Sequence, residues 1–282
     1  MVGKTFKFIH LTDTHIIPRP QKLFGVDVQD NLARAVDSIN RNFNDSEFCI
    51  ITGDLAHWGE IEAYSQLKEI LNELSIPWHI LIGNHDSRFI LQKLFPNLLW
   101  SKDGFLNYTI STPVGEFLIL DTVDEGKNYG RLCEIRLRWL HEQLLQTNDD
   151  RKNVYLFMHH PPMEIGIRAM DLIGLVNPQD LVTTLQGFKH IRHLFFGHLH
   201  RTCHGSWRGI PFSTVKASCY QVELRLDGKK NLTCSHENPA YAVVQINSDS
   251  VVIHDHSYME ENKTFIYDRG APARKTTIHQ KA

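Results

Sequence analysis

The sequence predicts an α/β fold, and three observations carry that expectation. Short apolar runs without a polar break, such as Cys49-Ile50-Ile51, read as strands covered on both faces. Stretches with apolar residues at helical spacing lie between them. Several of the runs stop abruptly at a polar cluster containing Asp, Asn or His. Strands alternating with helices imply parallel strands with helices on the faces.

In order, "FKFIHL" (6–11) reads as a strand. A helix follows over 27–43, with Leu32, Ala35, Val36, Ile39 and Phe43 on one side. "FCIIT" (48–52) is the second strand. Residues 60–74 repeat the helical pattern through Ile61, Tyr64, Leu67, Leu71 and Leu74, and "HILI" (79–82) is the third strand. Residues 105–123 read as two strands around a Pro/Gly-containing turn. A helix over 132–145 carries Leu132, Ile135, Trp139, Leu140 and Leu144. "VYLFM" (154–158) is another buried strand, and 162–176 reads as a long loop. Asn177 can cap the next helix, with Pro178 in its first turn and Asp180 near its positive end. "HLFF" (193–196) is a strand. From about 205 the pattern is all-β, ending in two strands around Asn-Ser-Asp (247–249). The chain thus divides into a core over 1–204, a β-rich part over 205–268 and a polar tail over 269–282.

Composition narrows the partners. The 282 residues suffice for one large domain, and 42% hydrophobic with 22% charged residues is ordinary for a globular protein. A net charge of −2 argues against a nucleic-acid polymer held by a basic face. No apolar stretch approaches the ~20 residues of a membrane span, and the start goes straight into a strand-like run without an apolar leader. The five cysteines (Cys49, Cys133, Cys203, Cys219, Cys234) have no CxxC spacing, so reduced thiols in a cytoplasmic protein are expected. The 17 histidines are more telling, since histidine is the commonest metal ligand.

Five strand ends carry these polar clusters: Asp13 and His15; Asp54; Asn84 and His85; His159 and His160; His198 and His200. In an open α/β sheet ligands bind outside the carboxyl ends of the strands, so all five ends are expected at one rim. Asp, His and an Asn carbonyl make a mixed oxygen and nitrogen set without thiolate, which disfavours structural zinc or iron–sulfur sites. The donors exceed what one zinc needs and suit two ions sharing a carboxylate, an arrangement fitted to phosphoryl displacement.

The ordered motifs Asp13-Thr14-His15, Gly53-Asp54, Gly83-Asn84-His85-Asp86, His159-His160-Pro161 and Gly197-His198-Leu199-His200 resemble the signature of the calcineurin-like metallophosphoesterase superfamily over residues 6–200. "GDLA.WGE..AY", "HHPP" and "GIPFSTVKASCYQ" are similar to its bacterial class III cyclic-nucleotide phosphodiesterase and glycerophosphodiesterase branch. The resemblance implies a four-layer α-β-β-α sandwich of two mixed sheets, with the part after 205 completing the second sheet and offering a homo-oligomer interface. It implies two metal ions (Fe, Mn, Zn or Co). One is held by Asp13, His15, Asp54 and His200, the other by Asp54, Asn84, His159 and His198, with Asp54 shared. His85 would be the non-ligating catalytic histidine over the phosphate, with Asp86 accepting its other N–H. The reaction implied is in-line attack of a metal-bridging hydroxide on a small phosphodiester, a cyclic nucleotide or a glycerophosphodiester.

Other features carry a bland reading beside the functional one. After "GDLA" related enzymes often have Asp; here His57 contacts substrate or starts a helix in solvent. His160 is a neighbour of the site and a second substrate candidate. His254-Asp255-His256 is a solvated strand face rather than a second metal site. His204 lines the pocket or is a loop residue. Trp58, Met163, Met170 and Trp207 wall the leaving group or pack in the core. Lys229-Lys230 and the basic run after Arg269 are solvated loop and tail. A phosphomonoesterase or nuclease on the same centre, and a catalytically silent scaffold, are the competing functions.

Overall fold

The computed structural model describes residues 5–259, so the expected tail over 269–282 lies outside the described residues. In chain order the elements are β1 (Phe6–Leu11), α1 (Val28–Asn42), β2 (Cys49–Ile51), α2 (Ile61–Asn72), β3 (Trp78–Ile80), α3 (Arg88–Leu94), β4 (Tyr108–Thr112), β5 (Gly115–Leu120), α4 (Glu134–Asp149) and β6 (Val154–Met158). There follow α5 (Arg168–Asp171), α6 (Pro178–Leu185), β7 (Ile191–Phe196), β8 (Cys203–Trp207), β9 (Ile210–Thr214), β10 (Gln221–Val222), β11 (Cys234–Ser235), β12 (Ala240–Ile246) and β13 (Val251–Ser257).

Two large mixed sheets form. One runs β13-β12-β1-β2-β3 and the other β4-β5-β6-β7-β9-β8. β1, β2 and β3 are parallel, as the alternation required. The stretch after 205, expected to complete the second sheet, feeds both: β8 and β9 extend the six-stranded sheet, and β12 pairs antiparallel with β1 to extend the five-stranded one. A local pattern cannot reveal that pairing, because residues 240–246 meet residues distant in sequence.

Period-two alternation separates the layers. On β6, Tyr155 and Phe157 join the core between the sheets, whereas Val154, Leu156 and Met158 pack with Leu140 and Leu144 of α4 and Leu181 and Leu185 of α6. Leu32, Ala35 and Ile39 of α1 and Tyr64 and Leu67 of α2 belong to the first of these clusters. The expected four-layer α-β-β-α sandwich is the result. Its centre is aromatic: Phe157 stacks on Phe195 at 4.6 Å and on Phe117 at 5.2 Å, and meets the edge of Phe8 at 5.8 Å.

Two local expectations are corrected. Asn177 precedes α6 but makes no side-chain cap bond. Its amide instead clasps Leu132, donating to the carbonyl at 2.7 Å and accepting from the N–H at 3.0 Å. The loop over 162–176 contains the short helix α5. His254 and Asp255 lie exposed on β13, in keeping with a solvated face, whereas His256 is half-buried with its ring 5.3 Å from Phe43 and 5.1 Å from Tyr241. Among the described residues no helix is long and apolar enough to cross a membrane.

The stacked phenylalanines generate one prediction. Phe157→Ala should cost about 3–5 kcal/mol in urea unfolding, because the ring is fully buried between both sheets. A loss below about 1 kcal/mol would mean that the layers are held elsewhere.

Candidate metal centre

The five polar strand ends do converge, but not on the rim of a single sheet. β1, β2 and β3 bring Asp13, His15, Asp54 and Asn84 from one sheet, and β6 and β7 bring His159, His198 and His200 from the other. The site lies where the carboxyl ends of the two sheets face each other.

Asp54 is the hinge of the geometry. Its Oδ2 lies 3.4 Å from His15 Nε2 and 3.3 Å from His159 Nε2, so one oxygen faces both halves of the site. Its Oδ1 accepts from the His85 N–H at 2.9 Å. Asp13 Oδ1 lies 3.4 Å from His200 Nε2. The ligating atoms of Asp13, His15, Asp54 and His200 all fall within 4.8 Å of one another. On the other side, Asn84 Oδ1, His159 Nε2 and His198 Nε2 are buried without a hydrogen-bond partner. Orphaned buried polar atoms are costly. Three of them in one site, with His159 Nε2 3.3 Å from Asp54 Oδ2 and Asn84 and His198 lining the same cavity as Asp54, fit a cation, as does the oxygen–nitrogen donor set. The residues present could therefore hold two ions.

The backbone pays for this arrangement. Asp13, His15, Asp54, His198 and His200 all have positive φ, between 43° and 69°. Non-glycine residues there cost about 1–3 kcal/mol each and persist only where the surroundings over-determine them. Those surroundings are on hand. His159 Nδ1 donates to Thr52 O at 2.7 Å and His200 Nδ1 to Tyr220 O at 2.9 Å. Asp13 accepts from the His198 N–H and from Thr12 Oγ1. Thr52 donates in turn to Thr12, which leaves Thr52 to accept from the buried His10 Nε2 at 2.9 Å.

Charge follows burial. Desolvation raises Asp13 against the pull of His200 and His159. Desolvation also works to raise Asp54, but the close approach of the His159 and His15 rings overrides it and holds the carboxyl well below its ordinary range. His159 answers with a shift up to about 9: burial opposes it and Asp54 prevails. His15 and His198 are driven well below the usual imidazole range, first by burial.

Three neighbours differ from expectation. Asp86 does not orient His85. Its carboxylate turns away and accepts from the N–H groups of Leu55, Ala56 and Gly83 and from Tyr64 Oη at 2.9–3.1 Å, bracing the turn that follows Asp54. Burial and the nearby Asp54 charge push it up to about 6. His85 Nδ1 donates instead to the His57 carbonyl at 2.7 Å. His57 is a buried neighbour of His15, not a lining residue of the cavity, and burial followed by His85 brings it down to about 4. His160 is fully buried, with Nδ1 on Thr122 Oγ1 at 2.8 Å and its ring 4.7 Å from that of His198.

A cavity of about 140 Å³ opens over the site, lined by Asp54, Asn84, His85, His198 and His200 and by Met170, Ile173, Tyr220, Val222, Leu232 and Asn128. Met170 is thus a wall residue, whereas Met163 and Trp207 pack in the outer core and Trp58 is largely exposed beside His57. His204 is exposed on β8 and does not line this cavity. Asn128 and Leu232 escaped the sequence reading because no motif marks them, and Tyr220, inside the "GIPFSTVKASCYQ" motif, was not singled out as a lining residue.

The turn after β3 generates a prediction. Gly83 has no room for a methyl group, which would meet the carboxylate and backbone nitrogen of Asp54. Gly83→Ala should lower turnover by about 10²-fold, with a folded far-ultraviolet spectrum. Unchanged turnover would show that Asp54 is free to move.

The comparisons with known proteins agree with this geometry. Residues 6–202 match the calcineurin-like phosphoesterase family. The chain is 40% identical over 261 residues to a probable cyclic nucleotide phosphodiesterase of Rhodopseudomonas palustris, covering 92% of this chain and 95% of that one. It is 33% identical over 229 residues to a probable glycerophosphodiester phosphodiesterase of Arcobacter nitrofigilis, covering 78% and 82%. The 3',5'-cyclic adenosine monophosphate phosphodiesterase of Escherichia coli is 25% identical over 252 residues, 87% of each chain. In fold it is similar to a dimetal phosphatase from Danio rerio, with a TM-score of 0.69 at 16% identity over 90% of this chain and 97% of that one. The chain belongs to the calcineurin-like phosphoesterase family.

Proposed function

We propose that the protein hydrolyses small phosphodiesters at a dinuclear metal centre, with cyclic nucleotides preferred to glycerophosphodiesters. The observation that carries this reading is the trio of partnerless buried atoms of Asn84, His159 and His198 set against the shared Asp54 carboxylate. Asp13, His15, Asp54 and His200 would hold one ion, and Asp54, Asn84, His159 and His198 the other. When bound, the two ions supply Lewis acidity that polarises the phosphoryl group and lowers the pKa of the attacking water.

The chain's own residues do the rest. The Asn84 amide and the His85 ring flank the phosphate position at the cavity wall. With Nδ1–H donated to the His57 carbonyl, His85 can donate from Nε2 only as the imidazolium; in that form it would give a hydrogen bond to a phosphoryl oxygen and pass the Nε2 proton to the departing alkoxide, leaving the neutral ring. Asp86 keeps the Asp54 turn in place rather than taking part in proton transfer.

Lining residues support the substrate preference. Beyond the metal donors and His85 the wall is Met170, Ile173, Val222, Leu232 and Tyr220, with Asn128 as the polar exception. Apolar and aromatic surface suits a flat base better than a glycerol, whose hydroxyls would go unpaired there. Among the described residues no Lys or Arg lines the cavity, which disfavours the extra charge of a monoester and a nucleic-acid strand alike. Oxygen and nitrogen donors accept Fe, Mn, Zn or Co. The five unpaired cysteines support a cytoplasmic setting, and we extend the reading to a homo-oligomer.

The test is a kinetic panel with Mn²⁺: cAMP, glycerophosphocholine, glycerophosphoethanolamine and a phosphomonoester. A kcat/KM for cAMP more than about tenfold above the others is expected; a monoester as best substrate, or an inert metal-loaded protein, would refute the reading. His85→Asn should lose about 10²–10⁴-fold in kcat while still binding metal. Full turnover in that variant would remove His85 from the chemistry.

A further inference from the structure

Among the three candidate ligand histidines whose Nδ1 has a partner, the acceptors are of two kinds. His159 and His200 donate Nδ1–H to backbone carbonyls of Thr52 and Tyr220, which can only accept. His15 Nδ1 meets another ring nitrogen, His57 Nδ1, at 2.9 Å. One hydrogen fits between two ring nitrogens. His15 Nε2 lies 3.0 Å from His200 Nε2, so both nitrogens face the space one cation would take; for His15 to offer a bare Nε2 there, the hydrogen must sit on His15 Nδ1. His57 must then accept at Nδ1 and carry its own proton on Nε2.

The rest of His57 is equally committed. Its ring stacks on His85 at 4.7 Å with an interplanar angle of 20°, and its carbonyl takes the His85 Nδ1 proton. Its N–H donates to Ile16 O at 3.0 Å, next to His15. Trp58 covers the ring edge-on at 4.8 Å. One residue therefore touches both a candidate ligand and the histidine over the phosphate, without lining the cavity.

We infer that His57 is a positioning residue whose Nδ1, as a neutral acceptor, fixes His15 in the tautomer that leaves Nε2 free for a cation, while its ring and carbonyl hold His85. An imidazole does this without adding a third negative charge beside Asp13 and Asp54, where buried like charges are costly. The inference rests on the dinuclear reading above.

Two substitutions separate its parts. His57→Phe keeps the ring against His85 and the backbone carbonyl but removes the acceptor. His57→Asn restores an acceptor, Oδ1, at the same distance along the side chain. Mn²⁺ affinity is read by chelator competition on the full chain, with melting of the metal-free protein as the control for folding. His57→Phe should weaken one of the two sites by about 10–100-fold and leave the other unchanged. His57→Asn should recover that site to within about threefold of the original chain. At saturating Mn²⁺, His57→Phe should regain most of its turnover, since the His85 contacts survive. A folded His57→Phe protein that binds both ions as before, or a His57→Asn protein no better than His57→Phe, would overturn the inference. Failure of the unmodified chain to bind two ions would instead count against the dinuclear reading, so the two failures are distinguishable.

Discussion

Two carboxylates buried between two sheets, with no lysine or arginine paired to them among the described residues, are the constraint on which the structure depends. Asp13 is fully buried and Asp54 is 2% exposed, and their ion-pair partners among the described residues are histidines. Buried charge must be paired or neutralised. The His159 ring faces one of them, 3.3 Å from Asp54 Oδ2, and a pair of cations would serve both. The strained backbone at five donor positions, the outward-turned Asp86 and the Thr12–Thr52–His10 chain are all consequences of holding those two groups in place.

The same contacts join the layers. His159, at the end of β6, donates across to the backbone of Thr52 at the end of β2, and the His198 N–H crosses from β7 to Asp13 after β1. The aromatic stack of Phe8, Phe117, Phe157 and Phe195 fixes the sheet spacing below. The site therefore sits at the top of a rigid wedge. Sheet separation, and with it the distance between the two donor groups, is set by packing rather than by loops. Precise donor placement of this kind is what two-ion phosphoryl chemistry requires.

Much of this was legible in the sequence, for physical reasons. Strands covered on both faces announce themselves as unbroken apolar runs, and a motif that follows such a run is fixed at its carboxyl end. That is how the polar residues from Asp13 to His200 at the five strand ends could be named together; the choice of seven donors among them came from the family resemblance. Adjacency in sequence misled at Asp86: neighbouring residues on a turn point in opposite directions, so it braces Leu55 and Ala56 while His85 faces the cavity. The seven-residue helix α3 was too short to establish a period. The partner of His57 lies 42 positions away, and a pairing between separate loops leaves no trace in a local pattern. Met170 was the one wall residue named from the sequence; the rest of the apolar wall was unreadable for the same reason, since Tyr220 and Leu232 come from the late β-rich part.

The central claim is that Asp54 shares one oxygen between two cations. Anomalous scattering at the manganese edge from crystals grown with Mn²⁺ measures it directly. Two peaks about 3.5–4 Å apart, one on the His15 and His200 side of Asp54 Oδ2 and one on the Asn84, His159 and His198 side, are expected. A single peak, or a pair that leaves Asp54 outside its coordination shell, would contradict it.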